Sequence, residues 1–287
     1  MNKIAVIADS SCDFTPERAK KAGFSVVPLN VTFEDGTMYR DGVDLTSAEF
    51  FQKLAASKQL PKTSQPTLEA WMDAFRQYED YDDIIVITVS SKLSGTINGA
   101  GMARRMLREE GFRPHIHLVD SQTASAAQAA FALEAVRMAK EGKSAQEILT
   151  RLLYLQNHLA IYFIIDSLEY LRRGGRIGKV TALAGKLMGI KPVLSVLEGE
   201  ATNVDKVRGM QAGLNKLVDG FLTHAVDLHH VIVISSCAPD RVKTISHMLQ
   251  THISDIEITT VEIGAVIGTY IGPGGVALVY EEKKARW

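Results

Sequence analysis

Short apolar runs alternate with segments of helical spacing through the first half of the chain. The runs at 3–8, 84–89 and 115–119 are rich in aliphatic side chains, which is typical of buried strands. Between and after them lie segments in which apolar side chains recur at every third or fourth position. This order of strand and helix, with short connections, predicts a parallel sheet that helices cover on both faces.

Capping residues mark where the helices begin. Thr15 stands before a proline, and the segments 46–49 (TSAE) and 144–147 (SAQE) are capping boxes. A helix from about Thr67 carries an apolar stripe that predicts core packing. A longer, alanine-rich helix is predicted at 123–140.

A loop with two prolines separates two of these helices. It spans 59–67 and reads QLPKTSQPT. Because proline disfavours helix at its own position and at the preceding one, the residues Thr63, Ser64 and Gln65 are expected to stay outside both helices.

The second half of the chain has more strands and fewer crossover helices. Its predicted elements are a strand at 160–165, a helix at 178–188, a strand at 192–198, a helix at 203–227, a strand at 231–234, a helix from 239, a strand at 256–262, a glycine-rich segment at 264–275 and a strand at 276–280. This half is predicted to be α+β. We therefore expect two domains, an N-terminal α/β domain at 1–158 and a C-terminal α+β domain at 159–287.

Composition excludes several classes of protein. The 287 residues carry a net charge of −1, which gives no support for binding nucleic acid. Apolar runs fall well short of the roughly 20 residues of a membrane span. The first strand leads directly into Asp9, which leaves no room for a signal peptide, and the two cysteines lack a pairing spacing. We expect a cytoplasmic protein without an integral membrane segment.

Three predicted strands of the first half end in turns that contain serine. The turns read DSS after the first strand, SSKLS after the second and DSQTAS after the third. Because ligands of open parallel sheets bind beyond the carboxyl ends of the strands, these turns predict a polar rim for a ligand. Ser94 has two interpretations, as the N-cap of the helix that follows or as a donor to a ligand carboxylate.

Sequence motifs for catalysis are missing. The segment 174–181, GGRIGKVT, lacks the spacing of a phosphate-binding loop. No serine lies in a G-x-S-x-G elbow, and His115-x-His117 has no third ligand nearby. We therefore predict no catalytic residues, no metal and no cofactor.

The densest basic cluster follows the strand at 160–165. It contains Arg172, Arg173 and Arg176, with Lys179 three residues further on. Two interpretations are open: a solvated surface, or a contact to a phosphate or an acidic partner, for which arginine offers planar bidentate donors.

Taken together, these segments resemble the DegV family, which includes the fatty-acid-binding subunits of the bacterial fatty acid kinase system. The similar segments run through nearly the whole chain and read ADSSCDF, KTSQPT, SSKLSGT, VDS, LEYLRRGGRIG, KPVLSVLEGE, KVRG and VIGTYIGPGG. The resemblance implies two α/β domains and a long-chain fatty acid held in a buried apolar tunnel. It also implies that a separate ATP-dependent kinase phosphorylates the carboxylate that the binding protein presents.

The resemblance also implies roles for individual residues. Thr63 and Ser94 match the family's carboxylate-binding hydroxyls, and the N–H of Gly95 is a third donor. Tyr270 stands where many members have histidine; a phenol still donates a hydrogen bond but carries no positive charge at neutral pH. Arg173 and Arg208 match basic positions of the family, which implies that they contact the kinase or the phosphoryl group.

The predicted function is therefore that of a fatty-acid carrier without enzymatic activity of its own. Each buried methylene contributes about 0.8 kcal/mol, so an apolar slot closed by a few OH and NH donors suits such a ligand. Two alternatives are a carrier of another lipid or carboxylate, and an enzyme with its own phosphoryl- or acyl-transfer activity.

Overall fold

The computed structural model describes residues 3–183 and 189–285. The strands are β1 (Ile4–Asp9), β2 (Ser25–Val27), β3 (Asn30–Thr32), β4 (Met38–Arg40), β5 (Lys62–Ser64), β6 (Asp83–Thr88), β7 (His115–Asp120), β8 (Leu159–Ile164), β9 (Ile190–Leu197), β10 (Glu200–Arg208), β11 (His230–Ser236), β12 (Glu257–Glu262) and β13 (Gly275–Glu281). The helices are α1 (Pro16–Ala22), α2 (Ser47–Ala56), α3 (Leu68–Arg76), α4 (Thr96–Glu109), α5 (Ala126–Lys140), α6 (Ala145–His158), α7 (Glu169–Arg173), α8 (Met210–His224), α9 (Pro239–His252) and α10 (Ala265–Ile271). Short 3-10 helices span Ser10–Cys12 and Gly178–Leu183.

The N-terminal domain contains the predicted parallel sheet, with strand order β2-β1-β6-β7. Alternate residues of β6 enter two different cores: Ile84 and Val86 pack with α3 and α4, whereas Ile85 and Ile87 face α5. Because both faces are covered, all six residues of β6 are buried. The doubly covered parallel sheet predicted from the sequence is thus confirmed.

The C-terminal domain is built on a six-stranded mixed sheet with strand order β10-β9-β8-β13-β11-β12. Only β11 and β12 pair in parallel within this sheet. Ile161 and Phe163 of β8 face the first domain, and Ala160 and Ile164 face the core under α8 and α9. The mixed α/β architecture, with a C-terminal sheet and helices, is confirmed.

The helix α5 joins the two sheets. It packs against β1 and β6 of the first sheet and against β8 of the second. Five of its buried residues are alanines, and these small side chains allow the helix and both sheets to approach closely. One hydrophobic core therefore runs from the first domain into the second. The domain boundary at 158/159 stays a prediction.

A third, three-stranded sheet has the order β4-β3-β5. Its strand β5 lies inside the proline loop at 59–67, which the sequence predicts only as non-helical. Thr63 pairs there with Val31 of β3, and this antiparallel pairing gives the loop a fixed backbone. The same small sheet forms a hydrophobic core with α2 and with the start of α10.

Two segments of the second half differ from the prediction. The helix expected at 203–227 begins only at Met210, because residues 200–208 form β10 and pair with β9 across the Glu198-Gly199 turn. The glycine-rich segment at 264–275 contains α10, whose Gly268 fits against Phe50. Both elements owe their structure to tertiary contacts, which override local preference.

Other local predictions are confirmed in whole or in part. Thr46 and Ser144 form the expected capping boxes with Glu49 and Glu147. The helix predicted at 178–188 is a 3-10 helix as far as Leu183, and its remainder lies outside the described residues. Within 3–183 and 189–285, every helix is too short or too polar to cross a bilayer.

Phe50 tests how strongly α10 depends on its neighbours. The ring is fully buried and a Cβ at Gly268 would lie 2.6 Å from its Cε1. We expect Phe50→Ala to lower the free energy of unfolding by about 3–5 kcal/mol, as measured by urea denaturation. Met38→Ala is the control. Because Met38 is 61% exposed, this substitution should lower the free energy of unfolding by less than about 0.5 kcal/mol. Equal losses would contradict this account.

Candidate functional site

An apolar cavity lies between the carboxyl edge of the parallel sheet and one face of the six-stranded sheet. Its empty space is about 910 Å³ when the open mouth is included. The apolar lining residues are Leu29, Val89, Leu93, Ala124, Ile161, Phe163, Ile165, Leu171, Val196, Ala201, Ile234, Ile263, Val266, Ile267, Ile271, Val276 and Ala277. Such a wall suits a hydrocarbon ligand.

Polar side chains on the wall come from the serine turns predicted from the sequence. Ser11, Ser94 and Ser125 stand on the three turns after β1, β6 and β7, and all three line the cavity. They meet there because β1, β6 and β7 are adjacent and parallel. Ser125 carries backbone strain, with φ 59° and ψ −151°, a region that is almost exclusive to glycine.

Thr63 and Tyr270 meet at this cavity from opposite ends of the chain. The Thr63 Oγ1 and Tyr270 hydroxyl oxygens are 2.5 Å apart, although 207 positions separate the residues. Both side chains are half-buried and line the cavity. β5 holds Thr63, and α10 holds Tyr270. The pair offers two hydroxyl groups to a ligand at this point.

Ser94 lines the same cavity but does not cap a helix. The N-cap of α4 is Gly95, and α4 has no side-chain cap bond. The N–H groups of Leu93 and Ser94 both donate to Ser90 O, at 3.0 and 3.1 Å, so that a turn occupies the position expected for the helix start. The Ser94 Oγ lies 2.8 Å from Thr96 Oγ1. The interpretation of Ser94 as a helix N-cap is therefore wrong.

The turn that carries Ser94 is held by the C-terminal domain. Ser90 Oγ donates to Gly199 O at 2.8 Å, and Lys92 forms an ion pair with Glu200 at 3.3 Å. Gly199 has φ +83°, and a Cβ there would lie 2.5 Å from Ser90 Oγ. The β9–β10 turn thus fits against the Ser94 turn in a way that only glycine allows.

Arg176 is the basic residue that reaches the cavity wall. Its guanidinium Cζ lies 5.0 Å from the centroid of the Tyr270 ring. Its Nε donates to Leu93 O at 3.2 Å and its Nη1 to Gly174 O at 2.8 Å. These bonds place a positive charge between the Ser94 turn and Tyr270.

The other predicted site residues lie away from the cavity lining that the described residues form. Arg172 is paired with Glu169 on α7 at 2.7 Å, and Arg173 is exposed on the same helix. Arg208 is exposed at the end of β10. Gly95 is exposed, and a Cβ there would lie 3.2 Å from Gln65 Oε1. The structure therefore brings Thr63, Ser94, Tyr270 and Arg176 to one cavity, and leaves the other four outside its wall.

Three buried carboxylates close to the cavity are not predicted by the sequence. Asp9, Asp13 and Asp41 are all buried, and burial raises the pKa of each, that of Asp41 to about 6. Burial also raises the pKa of the Cys12 thiol well above its ordinary value. The only sequence signal for these carboxylates was that Asp9 and Asp13 flank the first serine turn.

In the described residues, the H-x-H segment forms no metal centre and the basic glycine segment forms no phosphate-binding loop. Within the described ranges, no group of three or more histidine, cysteine, aspartate or glutamate side chains could hold a metal ion. His117 of the H-x-H segment bonds instead to Asp83, 2.6 Å from Nε2 to Oδ1. The basic glycine segment forms a turn and the 3-10 helix at Gly178–Leu183, rather than a loop between a strand and a helix.

Gly174 tests the placement of the Tyr270 ring. A Cβ at Gly174 would lie 2.7 Å from Tyr270 Cε1 and 3.1 Å from Tyr170 O. We expect Gly174→Ala to displace the ring and to lower the free energy of unfolding by about 1–3 kcal/mol, measured by urea denaturation. In the control Gly101→Ala, the new Cβ makes only an ordinary van der Waals contact, 3.5 Å from Leu118 Cδ1. Because alanine favours helix more than glycine does, the free energy of unfolding should rise by up to about 1 kcal/mol. A Gly174→Ala variant as stable as the control would contradict the tight fit.

Comparisons with known proteins agree with this architecture. A family model described as "Uncharacterised protein, DegV family" matches residues 3–283. A DegV domain-containing protein of Caldanaerobacter subterraneus subsp. tengcongensis is 31% identical over 286 residues, which cover 99% of this chain and 100% of the relative.

Two solved structures share the fold along nearly their full length. A DegV family protein from Thermus thermophilus, described by its fatty acid binding, has a TM-score of 0.87 and 30% identity, and the match covers 98% of this chain and 99% of that one. A stearic-acid-binding protein from Eubacterium ventriosum has a TM-score of 0.87 and 31% identity, with 99% of each chain covered. Since the family model spans almost every residue, the chain belongs to the DegV family.

Proposed function

We propose that this protein binds a long-chain fatty acid in the apolar cavity and presents its carboxylate to a separate ATP-dependent kinase. The observation that carries the proposal is the composition of the described wall, which is apolar except for the hydroxyls of Thr63, Ser94 and Tyr270, two further serines and one arginine. The descriptions of the Thermus thermophilus and Eubacterium ventriosum relatives as fatty-acid-binding and stearic-acid-binding proteins support the choice of ligand.

Binding energy would come mainly from the acyl chain. Removing roughly 14 methylenes from water is worth about 11 kcal/mol before the costs of association, at about 0.8 kcal/mol each. The aliphatic faces of β8, β9, β11 and β13 provide this environment. Spontaneous release into water would then be slow, which favours direct transfer to a partner.

The polar end of the ligand would lie at Thr63, Ser94 and Tyr270. A buried carboxylate needs several donors to offset its lost hydration. The three hydroxyls can donate to it, and Arg176 beside Tyr270 supplies the positive charge that a phenol lacks. The N–H of Gly95 at the start of α4 remains a candidate donor in this proposal.

The kinase would contact exposed basic residues outside the cavity wall. Arg173 and Arg208 are exposed, as a contact to a phosphate or an acidic partner requires. Arg172 is less suited, because Glu169 already neutralises it. We further propose a cytoplasmic location, since both cysteines are free thiols and Cys237 is exposed.

Mass spectrometry of an organic extract from the purified protein tests the ligand. We expect a long-chain fatty acid in the extract, or stoichiometric loading when hexadecanoic acid is added. Saturated, unsaturated and branched acids should be compared, because failure of all of them would favour a different carboxylate or lipid. The absence of any bound or loadable acid would refute the proposal.

The role of the kinase is tested with ATP and Mg²⁺. The loaded protein alone should form no acyl phosphate, whereas addition of a bacterial fatty acid kinase should produce it. Turnover without the kinase would instead favour an enzyme with its own phosphoryl-transfer activity.

Ser94→Ala separates ligand binding from folding. The variant loses one donor to a charged group, worth about 1.5–3 kcal/mol, so we expect hexadecanoic acid to bind about 10- to 100-fold more weakly. The free energy of unfolding without ligand should change by less than about 0.5 kcal/mol, because Ser94 caps no helix. Ser91→Ala, on the exposed part of the same turn, is the control and should bind normally. Unchanged binding by Ser94→Ala would exclude Ser94 from the site.

A further inference from the structure

We propose that Asp13 and Asp41 are positioning residues that hold α10 in place and thereby fix Tyr270 opposite Thr63. Neither carboxylate belongs to the described cavity wall, so both would act through α10. The inference rests on the proposed function, in which the Tyr270 hydroxyl binds the ligand carboxylate.

Both carboxylates bind the backbone where α10 begins. Asp13 Oδ1 accepts a hydrogen bond from the N–H of Gly264 at 2.8 Å. Asp41 Oδ1 accepts one from the N–H of Ala265, also at 2.8 Å. These donors are among the N–H groups that the helix itself leaves without a partner. Two side chains of the N-terminal domain thus attach a helix from the far end of the chain.

The second oxygen of each carboxylate is bound within the N-terminal domain. Asp13 Oδ2 accepts a hydrogen bond from Ser125 Oγ. Ser125 is the residue that lines the cavity with a strained backbone conformation. Asp41 Oδ2 accepts a hydrogen bond from Ser10 Oγ at 2.9 Å. Ser10 Oγ in turn accepts a hydrogen bond from the N–H of Leu29 at 3.0 Å. Each aspartate therefore forms a bridge with both ends fixed.

The space between the two aspartates leaves room only for a glycine. A Cβ at Gly264 would lie 2.9 Å from Asp41 Oδ1 and 3.2 Å from Asp13 Oδ1. Because φ of Gly264 is −76°, this close approach, rather than backbone conformation, is what requires glycine. The backbone at Gly264 therefore packs directly against the carboxylates of Asp13 and Asp41.

Overall stability does not explain two buried carboxylates at this place. Neither Asp13 nor Asp41 forms an ion pair with any described residue, and burial raises the pKa of both. Burying a carboxylate without a cation is costly, and apolar side chains would stabilise the domain contact as well. Carboxylates, however, can bind two N–H groups at defined positions, so their benefit is geometric.

The position of Tyr270 depends on this attachment. With seven residues, α10 is too short to be stable alone, so its contacts determine where it lies. Gly264 and Tyr270 are six residues apart, a rise of about 9 Å. A small tilt at the Gly264 end would therefore move the Tyr270 hydroxyl away from Thr63, to which it is only 2.5 Å distant.

Asp41→Asn and Asp13→Asn test this role with nearly isosteric side chains. The affinities of each variant for hexadecanoic acid and for hexadecan-1-ol, which lacks the carboxylate, should be measured by competition with a fluorescent fatty acid. We expect about tenfold weaker binding of the acid and no more than a twofold change for the alcohol. In a Tyr270→Phe background the aspartate substitutions should weaken binding of the acid no further.

Asp83→Asn is the matched control. Asp83 is a buried carboxylate at the opposite edge of the parallel sheet, and it bonds to His117 rather than to α10. This variant should bind the acid as the wild type does. Equal weakening for acid and alcohol, persistence of the loss in the Tyr270→Phe background, or unchanged binding in both aspartate variants would overturn the proposal.

A measurement without ligand keeps this inference separate from the proposed function. The ¹³Cζ NMR signal of Tyr270, assigned by its absence from Tyr270→Phe, should shift or broaden in Asp41→Asn and stay unchanged in Asp83→Asn. A wild type that binds no acid would refute the proposed function, while this signal would still decide whether Asp41 positions Tyr270. An unchanged signal in Asp41→Asn would refute the inference alone.

Discussion

The packing of one face of the six-stranded sheet against the carboxyl edge of the parallel sheet is the contact on which the remaining structure depends. A parallel sheet directs the carboxyl ends of its strands to one edge, where the turns are polar and the backbone is not covered by helices. Here the aliphatic face of β8, β9, β11 and β13 closes that edge. A cavity with an apolar wall on one side and serine turns on the other is the direct consequence.

Each domain holds the part of the site that the other domain needs. The turn with Ser94 belongs to the N-terminal domain, but Gly199 and Arg176 of the C-terminal half hold it. Tyr270 belongs to the C-terminal half, but its helix rests on Asp13 and Asp41. Domain contact and site geometry are therefore linked, and separation of the domains would remove Thr63 from Tyr270.

Charge is distributed unevenly around this cavity. In the described part of the chain, the guanidinium of Arg176 lies beside Tyr270. Asp13 and Asp41 lie instead at the start of α10, where they accept hydrogen bonds from N–H and O–H donors. Because those donors partly offset the negative charge, the carboxylates can coexist with a site that is proposed to bind an anion. In the proposed function, the ligand's negative end would meet Arg176 and the hydroxyls of Thr63, Ser94 and Tyr270, which all line the cavity.

Much of the fold follows from the sequence, because it depends on local signals. Buried strands, capping boxes and alternating order determined the parallel sheet, and the serine turns identified the edge of the sheet at which the cavity lies. The sequence did not determine β10, β5 or α10. Cross-strand pairing and packing against Phe50 produce these elements, and both act between residues far apart in the chain. Only the tertiary structure brought Tyr270 to Thr63 and placed Gly264 against Asp13 and Asp41, since each of these contacts joins residues that are far apart in the chain.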